Sequence, residues 1–236
     1  MLRRNGKPDN LHPMVSYLRS ELQKSADPAK AAPMKAYMKN LQAFYGIPMP
    51  QRKKIWQSAR KQFDLTSYKD YETVVKELWN GKFREELYLA MDIAMQYKVF
   101  RTDQAMPLYT FMLQSADHWD TVDAIASHLV GELVMQNRKH EVMLKKWARS
   151  KNMWLRRTSL LAHLRHKRLT NIRLLEETIL LLLDEKEFFI QKAIGWILRQ
   201  YAYTDPKWVK QFVKKHAACM SNLAKREAMK HFNKTT

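Results

Sequence analysis

The chain has 236 residues, and its 42 lysines and arginines against 23 aspartates and glutamates give a formal charge of +19 at pH 7. It contains only 5 glycines and 8 prolines, and it lacks the alternating apolar and polar runs of strands, so we expect an all-α protein. The longest apolar run, residues 179–183, is far too short to span a bilayer, and a single cysteine excludes an intrachain disulfide.

The first eleven residues, Met1–Leu11, are polar and basic, with a net charge of +2. They have no apolar segment of the kind found in a secretory signal. We therefore predict a basic tail over residues 1–11, followed by a single domain over residues 12–236. The lone cysteine, Cys219, fits a reducing compartment, so we expect a cytoplasmic protein.

Helix starts are marked along the whole chain. Asp27-Pro28 and Asp205-Pro206 each place a capping acid before a proline at the first helical position. Gly81 lies between two helical patterns and predicts the end of the first of them. Two further helices are predicted to begin after Ser150 or Asn152, and after Ser221. About a dozen helices joined by short loops follow from this punctuation.

A repeat runs through most of the chain. Its lead positions are 36, 35, 35 and 34 residues apart and are occupied by Phe83, Trp119, Trp154, Phe189 and Leu223. A fixed period of this length is typical of stacked helix pairs, each too small to bury its own apolar face. We predict an α-solenoid of antiparallel helix pairs with a basic concave face. Most of the apolar residues at three- and four-residue steps then belong to its core. They include the lead aromatics Trp154 and Phe189, together with Leu160, Leu161, Leu164, Ile194, Ile197 and Leu198.

The fifth position of the repeat departs from this apolar pattern. Its occupants are Leu87, Asp123, Thr158, Ala193 and Glu227, so the second copy carries an acid. Trp119 and Asp123 are four residues apart and share a helix face, as do Trp196 and Arg199 at a spacing of three. We expect the concave side to bring together this carboxylate, the two indoles and the guanidiniums of Arg157 and Arg199.

The basic residues of the repeat have a structural alternative. Arg157 and Lys192 occupy the fourth position of their repeats, where a cation often pairs with the neighbouring repeat. The overall positive charge favours a polyanionic partner, of which nucleic acid is the common case and an anionic membrane surface the rival. Charge alone gives neither sequence preference nor chemistry.

No phosphate-binding loop and no common metalloprotease, redox or hydrolase motif is present in the sequence. His163 and His166 are three residues apart on a helix, but no third ligand is evident, so we expect no metal. Cys219 has no activating histidine motif beside it, which argues against a nucleophilic role. We therefore expect no cofactor.

Several sequence blocks resemble the HEAT-repeat DNA alkylation repair glycosylases of the AlkD family. The resemblance extends from about residue 12 to about residue 232, and its longest block covers residues 187–199. The other blocks are Tyr37-Met-Lys-Asn40, Phe44-Tyr-Gly-Ile47, Trp119-Asp-Thr-Val-Asp123, Trp154-Leu-Arg-Arg157 and Lys225-Arg-Glu-Ala228.

This resemblance implies a monofunctional, metal-free DNA glycosylase of base excision repair. Its substrates would be positively charged N3- and N7-alkylated purines, such as 3-methyladenine and 7-methylguanine, in double-stranded DNA. Asp123 would be the catalytic residue, flanked by Trp119 and Trp196. The DNA-binding residues would be Arg157 and Arg199 on phosphate, Lys192 on the same face, and Tyr37 lining the cleft. Pro48 departs from the family pattern and puts one contact in doubt.

Two other functions remain open at this point. One is a non-catalytic HEAT-repeat scaffold that binds DNA or a protein, although an acid in the centre of a phosphate-binding face would repel its ligand. The other is a relative that recognises unusual DNA structure and has lost catalysis, against which the intact Asp123 argues. We expect double-stranded DNA as the partner, no membrane, no obligatory protein partner and a monomer.

Overall fold

A computed structural model describes residues 11–232 of the chain. The predicted basic tail therefore lies, apart from Leu11, outside the described residues. Those residues form helices joined by loops and turns, and they contain one isolated bridge between Ala43 and Phe83 in place of any β-sheet, which confirms the all-α prediction. The chain divides into two compact units, residues 1–100 and 101–236, and the single domain over residues 12–236 stays a prediction.

The first unit contains five α-helices in its described part. They are α1 (Pro13–Lys24), α2 (Pro28–Tyr37), α3 (Met49–Gln62), α4 (Tyr68–Trp79) and α5 (Arg84–Gln96), followed by a short 3-10 turn at Lys98–Phe100. Helix α1 packs against α3 and α4, and α5 packs against α4 and α3. Two predicted boundaries are confirmed here: Asp27 caps α2 by accepting bonds from the Ala29 and Lys30 amides, and α4 ends just before Gly81.

The second unit begins with a 3-10 turn, Asp103–Ala105, and continues with nine α-helices in its described part. These are α6 (Met106–Ser115), α7 (Trp119–Ala124), α8 (Gly131–Gln136), α9 (Glu141–Trp147), α10 (Met153–Leu161), α11 (Ile172–Leu182), α12 (Phe188–Tyr201), α13 (Pro206–Lys215) and α14 (Asn222–Met229). A π-helical stretch, Ile125–Val130, joins α7 to α8 without a break. Short 3-10 segments lie at Arg138–His140, Ala162–Arg165 and Lys167–Leu169.

Sequence signals explain where the helices of the second unit start. Asn152 caps α10 by accepting from the Trp154 and Leu155 amides, Asp205 caps α13, and Ser221 caps α14. Each cap satisfies backbone N–H groups that have no partner within the helix. Of the two residues predicted to precede α10, Asn152 is therefore the one that caps it.

The repeat frame coincides with helix starts in both units. Phe83 is the N-cap of α5, and the other four lead residues are the first or second residues of α7, α10, α12 and α14. Within the second unit, α7 packs against α10, α10 against α12, and α12 against α14. The helices α7, α10, α12 and α14 each form a pair with the helix before them, which is α6, α9, α11 or α13. The second unit is therefore a stack of helix pairs, as predicted.

A continuous apolar core fills the second unit. Leu160, Leu161, Ile194, Ile197 and Leu198 are all 1% exposed or less, which confirms the core predicted from their spacing. The lead aromatics differ, because Trp154 and Phe189 are only half-buried. Phe189 lines the site described next, and the Trp154 ring packs against it.

Candidate functional site

Asp123 lies on α7, one helical turn after Trp119. The side chain of Asp123 keeps 14% of its surface exposed, so it is neither in the core nor fully in solvent. The π-helical stretch begins two residues later, and the Ser127 hydroxyl donates to the Asp123 carbonyl over 2.7 Å. Departures of this kind from α-helical hydrogen bonding are frequent at functional sites.

A two-bond ion pair joins Asp123 to Arg157 of the neighbouring helix α10. Arg157 donates from Nε to Oδ1 over 2.7 Å and from Nη2 to Oδ2 over 2.8 Å. Its third nitrogen, Nη1, donates to the Phe189 carbonyl, and the residue is only 4% exposed. All three nitrogens of the guanidinium therefore donate a hydrogen bond within the protein. A bidentate pair fixes both the position and the plane of the carboxylate.

These contacts differ from the phosphate contact predicted for Arg157. Because Arg157 is only 4% exposed and donates to Asp123 and to a backbone carbonyl, it offers little surface to a phosphate. The structural alternative noted for the fourth repeat position, pairing with the adjacent repeat, describes Arg157 better. Its place is that of a positioning residue for Asp123.

The electrostatic environment of Asp123 works in two directions. Burial raises the pKa of Asp123 above its usual value, while the hydrogen bonds and the positive charge of Arg157 act to lower it. The nearby Asp120 adds to the upward shift. The balance leaves the pKa raised, so the carboxylate takes up a proton at a higher pH than an exposed aspartate does.

A cleft of about 260 Å³ opens beside this ion pair. Residues from α7, α10, α12 and α14 line it: Trp119, Arg157, Phe188, Phe189, Lys192, Trp196, Arg199 and Glu227. Five of the seven predicted site residues are in this set, and Asp123 is bonded to one of them, Arg157. The packing of α7 against α10, and of α10 against α12, thus brings Trp119 and Trp196 to the same cleft.

Aromatic side chains form one side of the cleft and continue behind it. The rings of Trp154 and Phe189 are 5.1 Å apart, and the buried His118 ring lies 5.9 Å from both Trp119 and Phe189. The Arg157 guanidinium lies 5.8 Å from the Phe189 ring centre. Phe188 is 55% exposed at the mouth of the cleft. Flat π-faces next to a carboxylate suit a cationic guest.

Glu227 is the second acid of the site, and it ties up the other predicted DNA-binding cations. Its carboxylate accepts from Lys192 and from Arg199, each over 2.9 Å, and from Lys230 over 2.6 Å. Gly195 makes this possible, since a Cβ there would lie 2.4 Å from the Glu227 Cβ and hold α12 and α14 apart.

Three cations around one buried carboxylate keep it charged. Burial by itself raises the pKa of Glu227, but the hydrogen bonds from Lys230 and Lys192 outweigh it and lower the pKa to about 2. Lys192 and Arg199 therefore face a permanently ionised partner at neutral pH. Their contact with DNA phosphate, expected from the resemblance, competes with this network.

Tyr37 belongs to the first unit, whereas the other predicted site residues belong to the second. It is the last residue of α2 in the first unit and is 71% exposed. Pro48, also in the first unit, is the N-cap of α3 and makes no side-chain cap bond. The cleft described above lies wholly within the second unit, and the role of Tyr37 stays a prediction.

Glu227, Phe188 and Phe189 line the cleft but were not predicted as site residues. Glu227 had a usable signal, since it occupies the same repeat position as Asp123 and is the other acid found there. Phe189 was predicted to lie in the core together with Trp154. Only the packing of α10 against α12 shows that its ring reaches the surface.

Other candidate chemistry is limited in the part of the chain that the structure describes. His163 and His166 are buried, with His166 Nε2 donating to the Gly131 carbonyl over 2.7 Å, and residues 11–232 hold no cluster of three or more metal-binding side chains. Cys219 is exposed and free. None of the described helices has the length and apolar character needed to cross a membrane.

Comparisons with known proteins agree with the fold and the sequence blocks. Residues 18–232 match the family model described as DNA alkylation repair enzyme. A solved structure titled "Predicted DNA alkylation repair enzyme from Enterococcus faecalis" is 32% identical and superposes with a TM-score of 0.80, covering 89% of this chain and 98% of its own. The search of curated proteins finds no match. The chain belongs to the DNA alkylation repair enzyme family.

Proposed function

We propose that this protein is a DNA glycosylase that hydrolyses the N-glycosidic bond of positively charged N3- and N7-alkylated purines in double-stranded DNA. The observation that carries the proposal is the carboxylate of Asp123, fixed by two bonds from Arg157 beside a cleft that Trp119 and Trp196 line. Membership of a DNA alkylation repair family supports DNA as the substrate polymer, and we infer the bond that is cleaved from the site.

The chemistry requires stabilisation of a cation more than it requires an acid. An N3- or N7-alkylated purine is already positively charged, so it can leave the sugar without first being protonated. Positive charge then develops on the deoxyribose as the bond stretches, as it does in glycoside hydrolysis. A carboxylate and two indole faces are groups that stabilise such a charge. Asp123 could also orient the attacking water.

Arg157 has a definite role in this scheme. It holds the carboxylate in one orientation and, by its charge, keeps the raised pKa of Asp123 from rising further. Its bonds go to the Asp123 carboxylate and to the Phe189 carbonyl, so in this scheme Arg157 positions the anion. Preorganisation of this kind avoids rearrangement during the reaction.

Incubating the protein with methylated duplex DNA and identifying the freed bases tests the proposal directly. We expect release of 7-methylguanine and 3-methyladenine and poor release of uracil and hypoxanthine, because the neutral bases carry no charge of their own to drive departure. Efficient release of uracil would contradict the charge-driven mechanism. Tight DNA binding with no base release from any substrate would instead support the non-catalytic scaffold.

The pH dependence of excision should follow the ionisation of Asp123. The ionised form is the active one, and burial raises its pKa above the ordinary value of 3.8, so the rate should fall on acidification at a pH above that value. Single-turnover excision at saturating enzyme, from about pH 8 to about pH 4, measures the inflection. In Arg157→Gln the inflection should move to higher pH, because the charge that opposes protonation is gone. A rate independent of pH across this range would remove Asp123 from the mechanism.

A further inference from the structure

The second unit carries a larger opening that shares no lining residue with the cleft. This opening, which we call the basic groove, has a volume of about 720 Å³. Its wall includes Arg165, Lys167 and Arg168 from the segment after α10, Gln200 at the end of α12, and Tyr203 just beyond it. Glu132 is the acid on the wall, and its carboxylate is already paired with Arg101.

Among residues 11–232, the three cations of the basic groove have no ion-pair partner. Within residues 11–232, none of Arg165, Lys167 and Arg168 forms an ion pair or a side-chain hydrogen bond. All three are exposed. The cations of the cleft are the opposite case, since Arg157 is bonded to Asp123, and Lys192 and Arg199 are bonded to Glu227.

Helix capping does not account for these cations. Basic side chains near a helix C-terminus often donate to its last carbonyls. Within the described residues, none of the three donates to a carbonyl at the end of α10. Lys167 also has a φ of 51°, in the left-handed region that is uncommon for a residue other than glycine. Backbone held in such a conformation clusters at functional sites.

The position of the basic groove relative to the cleft suits one extended ligand. Helix α12 borders both openings: its residues from Phe188 to Arg199 contribute to the cleft, and Gln200 lines the groove. Arg199 and Gln200 are consecutive residues, so the two openings are neighbours near the end of this helix, where one duplex can contact both.

We propose that the basic groove binds backbone phosphates of the DNA duplex whose damaged base lies at the cleft. The groove supplies cations that have no ion-pair partner among the described residues, and the cleft, whose cations are paired with Asp123 and Glu227, supplies the chemistry. The placement of the lesion rests on the glycosylase function proposed above, whereas binding of phosphate at the groove does not. Neutralising phosphates in this way releases condensed counterions and makes affinity depend on salt.

The test compares two variants that lose the same charge. Arg165→Gln/Lys167→Asn/Arg168→Gln removes the groove cations, with asparagine chosen because it tolerates the left-handed conformation at residue 167. The control, Lys207→Gln/Lys214→Gln/Lys215→Gln, removes three exposed cations of α13. The affinity of each for an unmodified DNA duplex is measured at several salt concentrations between about 50 and 200 mM.

We expect the slope of log affinity against log salt to fall by about 2.7 in the groove variant, about 0.9 for each lost phosphate contact, and to stay unchanged in the control. An unchanged slope in the groove variant, or an equal fall in both, overturns the proposal. If the triple variant does not fold, Arg168→Gln alone decides the question through a fall of about 0.9.

Excision of 7-methylguanine at saturating enzyme separates this proposal from the proposed function. If the groove variant loses salt dependence but matches the wild-type rate at saturation, both stand. If its slope falls while the wild-type protein excises nothing, the groove still binds DNA and the glycosylase proposal fails. If excision is robust and the slope is unchanged, the groove proposal alone is overturned.

Discussion

Replacing Asp123 with asparagine is expected to slow the release of 7-methylguanine from methylated duplex DNA by about a thousandfold, with little change in DNA affinity. A carboxylate about 4 Å from the developing sugar cation contributes about 4 kcal/mol at an effective dielectric of about 20. Asparagine removes this contribution, whereas the positive charge of Arg157 stays in place in the variant. The loss of about 4 kcal/mol corresponds to about a thousandfold in rate.

Asp184→Asn is the matched control, since Asp184 is an exposed acid of the same unit with no ion-pair partner among the described residues. Because Asp123→Asn leaves the buried Arg157 without its counterion, thermal melting is recorded alongside the kinetics. The double variant Asp123→Asn/Arg157→Gln restores a neutral, hydrogen-bonding pair and should fold while remaining slow. Wild-type excision by a folded double variant would exclude Asp123 from catalysis.

Arg157→Ala is expected to be the more damaging change to stability. Removing one partner of a largely buried pair leaves the other uncompensated, which costs roughly 3 to 5 kcal/mol. For a chain of this size the melting temperature should drop by about 6 to 20 °C. Excision should also fall, since the Asp123 carboxylate loses the two bonds that orient it. The salt dependence of DNA binding should stay as in the wild type, because the buried Arg157 side chain offers little surface to a phosphate.

Arg173→Ala serves as the comparison for this stability effect. Arg173 pairs with Glu177 on the surface of α11, where its side chain is 89% exposed, and exposed pairs contribute at most about 1 kcal/mol. A double-mutant cycle between Arg157→Ala and Asp123→Asn measures the coupling between those two residues alone. A salt slope reduced by about one in Arg157→Ala would return Arg157 to the phosphate-binding role implied by the family resemblance.

Lys192 and Arg199 show that a cation on a helix of a basic repeat protein is not by itself a contact for DNA. The family resemblance assigned both residues to DNA. In the structure both pair with Glu227, which lies 35 and 28 residues away from them along the chain. Arg165, Lys167 and Arg168, which no motif had marked, are exposed and form no ion pair within residues 11–232.

The amino-acid sequence by itself determined the helical class, the repeat period, the helix starts at Asp27, Asp205 and Ser221, and the family. These features depend on local interactions, namely capping bonds, apolar spacing and a period that recurs along the chain. Sequence spacing also placed Trp119 and Asp123 on one face of α7, since four residues make about one helical turn.

Only the tertiary structure decided which charges are free. Whether a guanidinium meets a carboxylate or faces solvent depends on how closely neighbouring helices pack, and on side chains about one repeat away in the chain. The absence of a side chain at Gly195 brings α14 against α12 and joins Glu227 to Lys192 and Arg199. The packing of α7 on α10 joins Asp123 to Arg157 in the same way. Ion pairing across repeats is a property of three-dimensional proximity, and the repeat period fixes the order of the helices but not these distances.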